Sequence, residues 1–269
     1  MSRWKPRLPT CSHYHESMLN WLRRLRAPAE LVVDDAQWTR LRRRLPLLDG
    51  MDAGDLARLR QLSGCFLASK SVYGARGLEV DSDMQLLIAA QACLPVLKLG
   101  LEAYASWQDV IVYPDEFVPV LEWVDEAGVQ HRRAEPRIGE AWARGPLVLS
   151  WADVSAGGHG DGFNVVIHEC AHKLDLLDGE ANGCPPLHAG MSRADWHNAW
   201  SAAFGRFRAD PPRMSWLDPY AAESPEEFFA VLSEAFFELP WQVRGALPEV
   251  YRQLVAFYRW EPMARAATA

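Results

Sequence analysis

The stretch NVVIHECAHKLD, residues 164–175, constrains this chain more than any other. It contains no proline, and Val165, Val166, Ile167, Ala171, Leu174 and Leu176 surround its polar residues, the pattern of a helix buried on most sides. His168 and His172 are four residues apart, so they project from one helix face with Cβ atoms about 5–6 Å apart. Two imidazoles at that separation can close on one Zn²⁺ with Zn–N distances of about 2.0–2.1 Å. Glu169 lies roughly 100° round the helix from His168. That is too far for comfortable co-ligation, but near enough to take a proton from a water at the metal. A buried helix holding two histidines and a glutamate with no metal would carry a large desolvation cost.

A catalytic zinc needs a third protein ligand and an open position. His188, His197, Asp175, Asp178 and the acids of YAAESPEEFFAVLSEAFFE are all candidates. The metzincin spacing would put a glycine at 175 and a histidine at 178, and both positions are aspartate. Asp175, three residues after His172 on the same helix, is better placed to orient an imidazole than to bind metal.

The stretch from Ser224 is the more persuasive source. Ser224, Pro225 and Glu227 have the form of a helix start, with Ser at the N-cap, Pro at the first position and Glu at the third. The helix should run to about Leu239, ahead of Pro240. On it Glu227, Glu234 and Glu238 fall within a few tens of degrees of one face, together with Ala230 and Val231, which are small enough for another helix to approach. Glu227 can be the glutamate of a capping box, and the other two can line a solvated face.

The rest of the chain predicts an α+β fold. Helical spacing is visible in HESMLNWLRRLRA, in VDDAQWTRLRRRLPLL up to Pro46, and in DAGDLARLRQLSGCFLASK. A turn-rich stretch, YGARGLEVDSD, follows. The apolar MQLLIAAQACLPVLKLGLEAYASW predicts a long helix kinked at Pro95, or a helix pair. DVIVYP and GPLVLSWADV predict strands, and PVLEWVDEAGVQHRR predicts a hairpin turning at Glu126-Ala127-Gly128. About four strands in a small sheet, followed by the histidine helix, is the setting of zincin metallopeptidases by fold-level analogy. The expected division is a helical N-terminal region, residues 1–75, and a zincin-like catalytic domain, residues 76–269, in one compact unit.

The formal charge of −7 argues against a direct nucleic-acid binder. Arg23, Arg24 and Arg26 cluster, as do Arg40, Arg42, Arg43 and Arg44; solvated helix faces explain them, and the alternative is a docking surface for an acidic partner. The five cysteines show no CxxC spacing, so no disulfide framework is expected and a reducing compartment fits. The N-terminus has no apolar core for a signal peptide, and Gln91, Pro95, Lys98 and Glu102 interrupt the most apolar region. These features predict a soluble cytoplasmic protein without a membrane span.

GFNVVIHECAHKLD together with DPYAAESPEEFFAVLSEAFF resembles the Mlc titration factor A family of zinc peptidases. LLIAAQACLPVLKLG, VIVYPDEF and GPLVLSW match other segments of that family in order, so the resemblance covers about Leu56 to Tyr258. The family is gluzincin-like, with a site similar to that of the anthrax lethal factor. The resemblance implies one Zn²⁺ per chain held by His168, His172 and Glu227, with Glu169 as the base and Tyr220 stabilising the oxyanion. It places Glu234 behind one of the histidines. Cys170 stands where a bulkier apolar residue is common, and should point away from the metal. The implied activity is hydrolysis of short peptides; action as an aminopeptidase would use Glu223 or Glu226 as the anchor for an α-amine. The alternative implied function is regulatory: sequestration of Mlc, a sugar-responsive transcriptional repressor.

Overall fold

The computed structural model describes residues 31–115, 120–124, 130–134 and 145–262. HESMLNWLRRLRA, with its arginines, and the hairpin turn at 126–128 lie outside them. The chain forms α1 (Asp35–Arg44), α2 (Ala53–Ser69), β1 (Ser71–Gly74), α3 (Ser82–Cys93), β2 (Asp109–Tyr113), β3 (Val120–Val124), β4 (Gln130–Ala134) and β5 (Leu147–Ser150). Then come α4 (Trp151–Ala156), α5 (Val165–Asp175), α6 (Arg193–Ala209), α7 (Pro225–Glu238), α8 (Pro240–Ala246) and α9 (Pro248–Tyr258). This is an α+β fold, as the hydrophobic pattern predicts.

The sheet differs in detail from the expected four strands. Strands β1, β2 and β5 form a parallel sheet in the order β1-β2-β5, and β3 and β4 form a separate antiparallel hairpin. β1 is not among the expected strands, and its last two residues, Tyr73 and Gly74, open the stretch that predicts a turn. It is a four-residue edge strand with no fully buried side chain, so it shows no alternation of apolar and polar residues. Pairing with β2, from Ser71↔Asp109 to Gly74↔Val112, makes it a strand. Its last residue is glycine because a Cβ there would fall 1.8 Å from the Leu78 carbonyl oxygen.

The long apolar stretch is also shorter as a helix than expected. α3 ends at Cys93, and the chain leaves in turns from Leu94 rather than continuing through a kink. Proline at 95 has no N–H to offer Gln91, and its ring crowds that carbonyl. None of the helices among the described residues is long and apolar enough to cross a membrane.

One apolar core runs from Val33 to Trp260. α5 sits inside it, packed against α3 and β5 on one side and α7 on the other. α7 divides its surface by chemistry. Phe228 and Phe229 pack among Trp196, Trp200, Phe207 and Phe257 of α6 and α9. Phe236 and Phe237 pack on Tyr251, Tyr258 and Trp260. The remaining face carries Glu227, Glu234 and Glu238 toward α5. These carboxylates are only 8, 4 and 6% exposed, so they line an interior seam and not a solvated face. Ala230 and Val231 are buried with them and let the helices approach.

Arg40, Arg42, Arg43 and Arg44 do lie on an exposed face, with Arg40 paired to Asp83 at 2.8 Å. Cys65, Cys93, Cys170 and Cys184 form no disulfide. Cys170 is fully buried in the core, and burial pushes its thiol up to about 12.

Candidate metal centre

The site is built by two helix starts. Asn164 caps α5, its side-chain oxygen accepting from the Ile167 N–H at 3.1 Å. Ser224 caps α7 by accepting from the Glu227 N–H at 3.3 Å, with Pro225 in the first turn. Half of the expected capping box is therefore present. The Glu227 carboxylate turns instead to the histidines.

Glu227 Oε2 lies 3.1 Å from His168 Nε2 and 3.3 Å from His172 Nε2, and the two Nε2 atoms are 3.1 Å apart. Four tetrahedral ligands at about 2.0–2.1 Å from Zn²⁺ would be separated from one another by roughly 3.3–3.4 Å. The triangle of donors is therefore close to one face of a zinc tetrahedron. His168 Nδ1 lies 2.8 Å from Glu234 Oε1, so a neutral ring donating there would present its Nε2 lone pair to a cation. Among the described residues, His168, His172 and Glu227 are the cluster of three donors able to hold a metal ion.

The charges are strongly perturbed. Burial works against ionised His168, but Glu227 and Glu234 outweigh it and push the imidazole up to about 10. Burial likewise opposes ionised Glu227, while hydrogen bonds from His168 and His172 hold its carboxyl well below the usual range. Burial dominates at Glu234 and raises it.

Glu169 is half-buried beside this cluster, and its charge is felt at His168, Tyr220 and Lys173. Tyr220 lies on a short 3₁₀ turn, Pro219–Ala222, held by Asp218, which accepts from the Tyr220 N–H at 2.8 Å. Tyr220 is 46% exposed, and its ring sits 6.2 Å from the His168 ring. Partial burial, with the Glu227 charge, pushes its hydroxyl up to about 12.

Asp175 ties the end of its helix to the loop that follows. One oxygen accepts from the Asn182 and Gly183 N–H groups at 2.9 and 2.7 Å. Its other oxygen and His172 Nδ1 are both buried without a hydrogen-bond partner. Burial pushes the Asp175 carboxyl up to about 6, opposed by Gly183 and by His172.

The other third-ligand candidates lie elsewhere. His188 Nε2 contacts the Phe257 carbonyl oxygen at 2.7 Å and its ring stacks on Phe257. His197 is exposed on α6. Asp178 faces Arg193 at 3.6 Å. The pattern of residues did not single out Asn164. An asparagine just before an apolar helix is a visible cap signal, but its partner Glu238 is not legible from spacing.

Two histidines one turn apart and a carboxylate from a second helix, with an acid beside them, are a donor set of the kind metallopeptidases use. The comparisons narrow this: the model of the glucose-regulated metallo-peptidase M90 family matches residues 19–259, and the chain belongs to that family. Among curated proteins it is similar to the Mlc titration factor A of Serratia proteamaculans (strain 568), 37% identical over 226 residues, which cover 82% of this chain and 86% of that protein. It is also similar to the Mlc titration factor A of Escherichia coli (strain 55989 / EAEC), 35% identical over 225 residues, covering 82% and 85%. The corresponding protein of Yersinia pestis (strain Pestoides F) is 34% identical over 253 residues, covering 92% of each chain.

Proposed function

We propose that the protein is a zinc-dependent peptidase of the cytoplasm that hydrolyses short peptides. His168, His172 and Glu227 hold one Zn²⁺ per chain, Glu169 is the general base, and Tyr220 stabilises the oxyanion. The observation that carries this reading is the donor triangle, with sides of 3.1, 3.1 and 3.3 Å. Two nitrogens and one carboxylate oxygen leave a fourth position open, as catalytic zinc sites do.

When bound, Zn²⁺ would acidify a water molecule and polarise the scissile carbonyl. Glu169 accepts the proton of the attacking water and returns it to the leaving amine. Tyr220, its hydroxyl neutral at physiological pH, donates a hydrogen bond to the carbonyl oxygen as that atom gains charge. Glu234 fixes the ring of His168 through Nδ1. Asp175 supplies a buried carboxylate oxygen to the side of His172, the second imidazole. An aminopeptidase would need an acidic anchor for the substrate α-amine. Glu223, exposed next to the Tyr220 turn, suits that role better than Glu226, which is partly buried.

The decisive comparison is wild type against Glu169→Gln. Both should bind about one Zn²⁺ per chain, and only the wild type should cleave a peptide library. Equal cleavage by the two proteins would remove Glu169 from the mechanism.

A second reading rests on the name that the curated relatives carry, which describes titration of Mlc. In it this chain sequesters a transcriptional repressor, and peptide hydrolysis is secondary. It is favoured if the wild type binds Zn²⁺, cleaves nothing and co-elutes with purified Mlc.

A further inference from the structure

Asn164 does more than cap α5. All four of its polar groups are engaged and the residue is fully buried. Its side-chain oxygen accepts from the Ile167 N–H at 3.1 Å, and its backbone carbonyl accepts from the His168 N–H at 3.0 Å. Its backbone N–H donates to Glu234 Oε2 at 2.5 Å. Its side-chain Nδ2 donates to Glu238 Oε1 at 3.0 Å. Glu238 Oε2 in turn accepts from the Gly160 N–H at 2.6 Å.

The two carboxylates stand one turn apart on α7, so they grip one residue at the head of α5. Glu234 also holds His168. The three metal donors come from these same two helices, and their spacing depends on the register between them. We propose that Asn164, clamped by Glu238, is a positioning residue of the metal centre: its amide sets the register of α5 against α7 that brings His168 and His172 to Glu227. This inference rests on the metal-centre reading above.

The chemistry selects asparagine in particular. Capping alone accepts Asn, Asp or Ser nearly equally. The clamp needs an acceptor toward Ile167 and a donor toward Glu238 from the same side chain, and only the amide provides both. Aspartate would set a second carboxylate against Glu238 in a buried seam, where like charges repel strongly. Serine would keep the cap and lose the bond to Glu238.

The test exchanges the two groups. In Asn164→Asp the clamp is broken. In Asn164→Asp with Glu238→Gln the pair is reversed: the new amide donates to the aspartate and its oxygen accepts from Gly160, so every bond is restored with the charge unchanged. Zn²⁺ affinity is measured by chelator competition, and the Co²⁺-substituted protein gives an absorption spectrum that reports ligand geometry. Asn164→Asp should bind Zn²⁺ about 10–100-fold more weakly than wild type, in line with other supports of metal-bound histidines, and should shift the Co²⁺ bands. Asn164→Ser should lose less than Asn164→Asp. The double variant should return to within about threefold of wild type, the coupling expected of two side chains in contact.

A residue that only capped the helix would rank aspartate with asparagine and gain nothing from the exchange. The inference is overturned if Asn164→Asp binds as tightly as Asn164→Ser, or if the double variant stays weak or does not fold. Wild-type protein that binds no Zn²⁺ overturns the metal-centre reading itself, and this inference with it.

Discussion

His168 Nδ1 meets Glu234 Oε1 at 2.8 Å, joining two helices whose contacting residues are 66 positions apart. The same carboxylate accepts the Asn164 N–H through its other oxygen. Glu234 thus fixes one metal-facing imidazole and the start of its helix at once. Glu234→Gln leaves one acceptor where two donors converge, and it removes the charge that makes the imidazole a better donor to metal. Zn²⁺ affinity should fall about 10–100-fold. Chelator competition measures it, and unchanged affinity would show that His168 needs no such support.

Tyr220 is half-exposed, beside the donor triangle and outside it. Tyr220→Phe should leave zinc content intact and lower kcat by about 10²-fold, the usual cost of one oxyanion donor. Steady-state kinetics with metal analysis of the same sample separates the two roles. A fall in zinc content at constant kcat per bound zinc would mean that the phenol serves the metal and not the transition state.

Asp175 ties α5 to the loop through Asn182 and Gly183. Asp175→Ala would leave two backbone N–H groups without this acceptor, and for the buried one, Gly183, that costs about 1–3 kcal/mol. Urea unfolding of metal-free protein should show this loss, because it does not depend on zinc. The zinc-bound form should lose more, since His172 then lacks the Asp175 charge that acts on it.

Lys70 provides the pH dependence. Its ammonium donates to the carbonyls of Tyr104 and Trp107 beneath the ring of Trp107, and burial lowers it to about 8 from an ordinary 10.5. A depressed lysine holds fewer protons in the folded chain than in the unfolded one between those values, so its contribution to stability rises with pH from about 8 to 10.5. Below pH 8 the charged form carries its full burial cost. In Lys70→Met that slope is gone. The stability of wild type relative to this variant should therefore rise between pH 8 and 10, as read by chemical denaturation. A flat difference would mean that the ammonium is as well solvated folded as unfolded.

Much of this protein is legible along the chain. Pro46 and the Ser224-Pro225-Glu226-Glu227 start bound helices whose observed ends fall within a residue or two of the expected ones. DVIVYP forms the strand its buried β-branched residues predict, at the centre of the sheet. The failures share a cause. β1 is a strand through its neighbour rather than its composition. The break at Cys93 depends on what the chain does after Pro95. The Glu227, Glu234 and Glu238 face shows a clear helical stripe, yet a stripe does not reveal whether water or another helix covers it.

The sequence by itself determined the placing of His168, Glu169 and His172 about one turn of a single helix, because spacing over four residues is local helix geometry. It determined equally that Glu227 falls in the first turn of its own helix. Only the tertiary structure decided that Glu227, 55 residues away, reaches the histidines while His188, His197 and Asp178 do not. It also decided that Glu238 answers the amide of Asn164. Those outcomes depend on how two apolar helices pack, and the register of that packing is settled by the whole core.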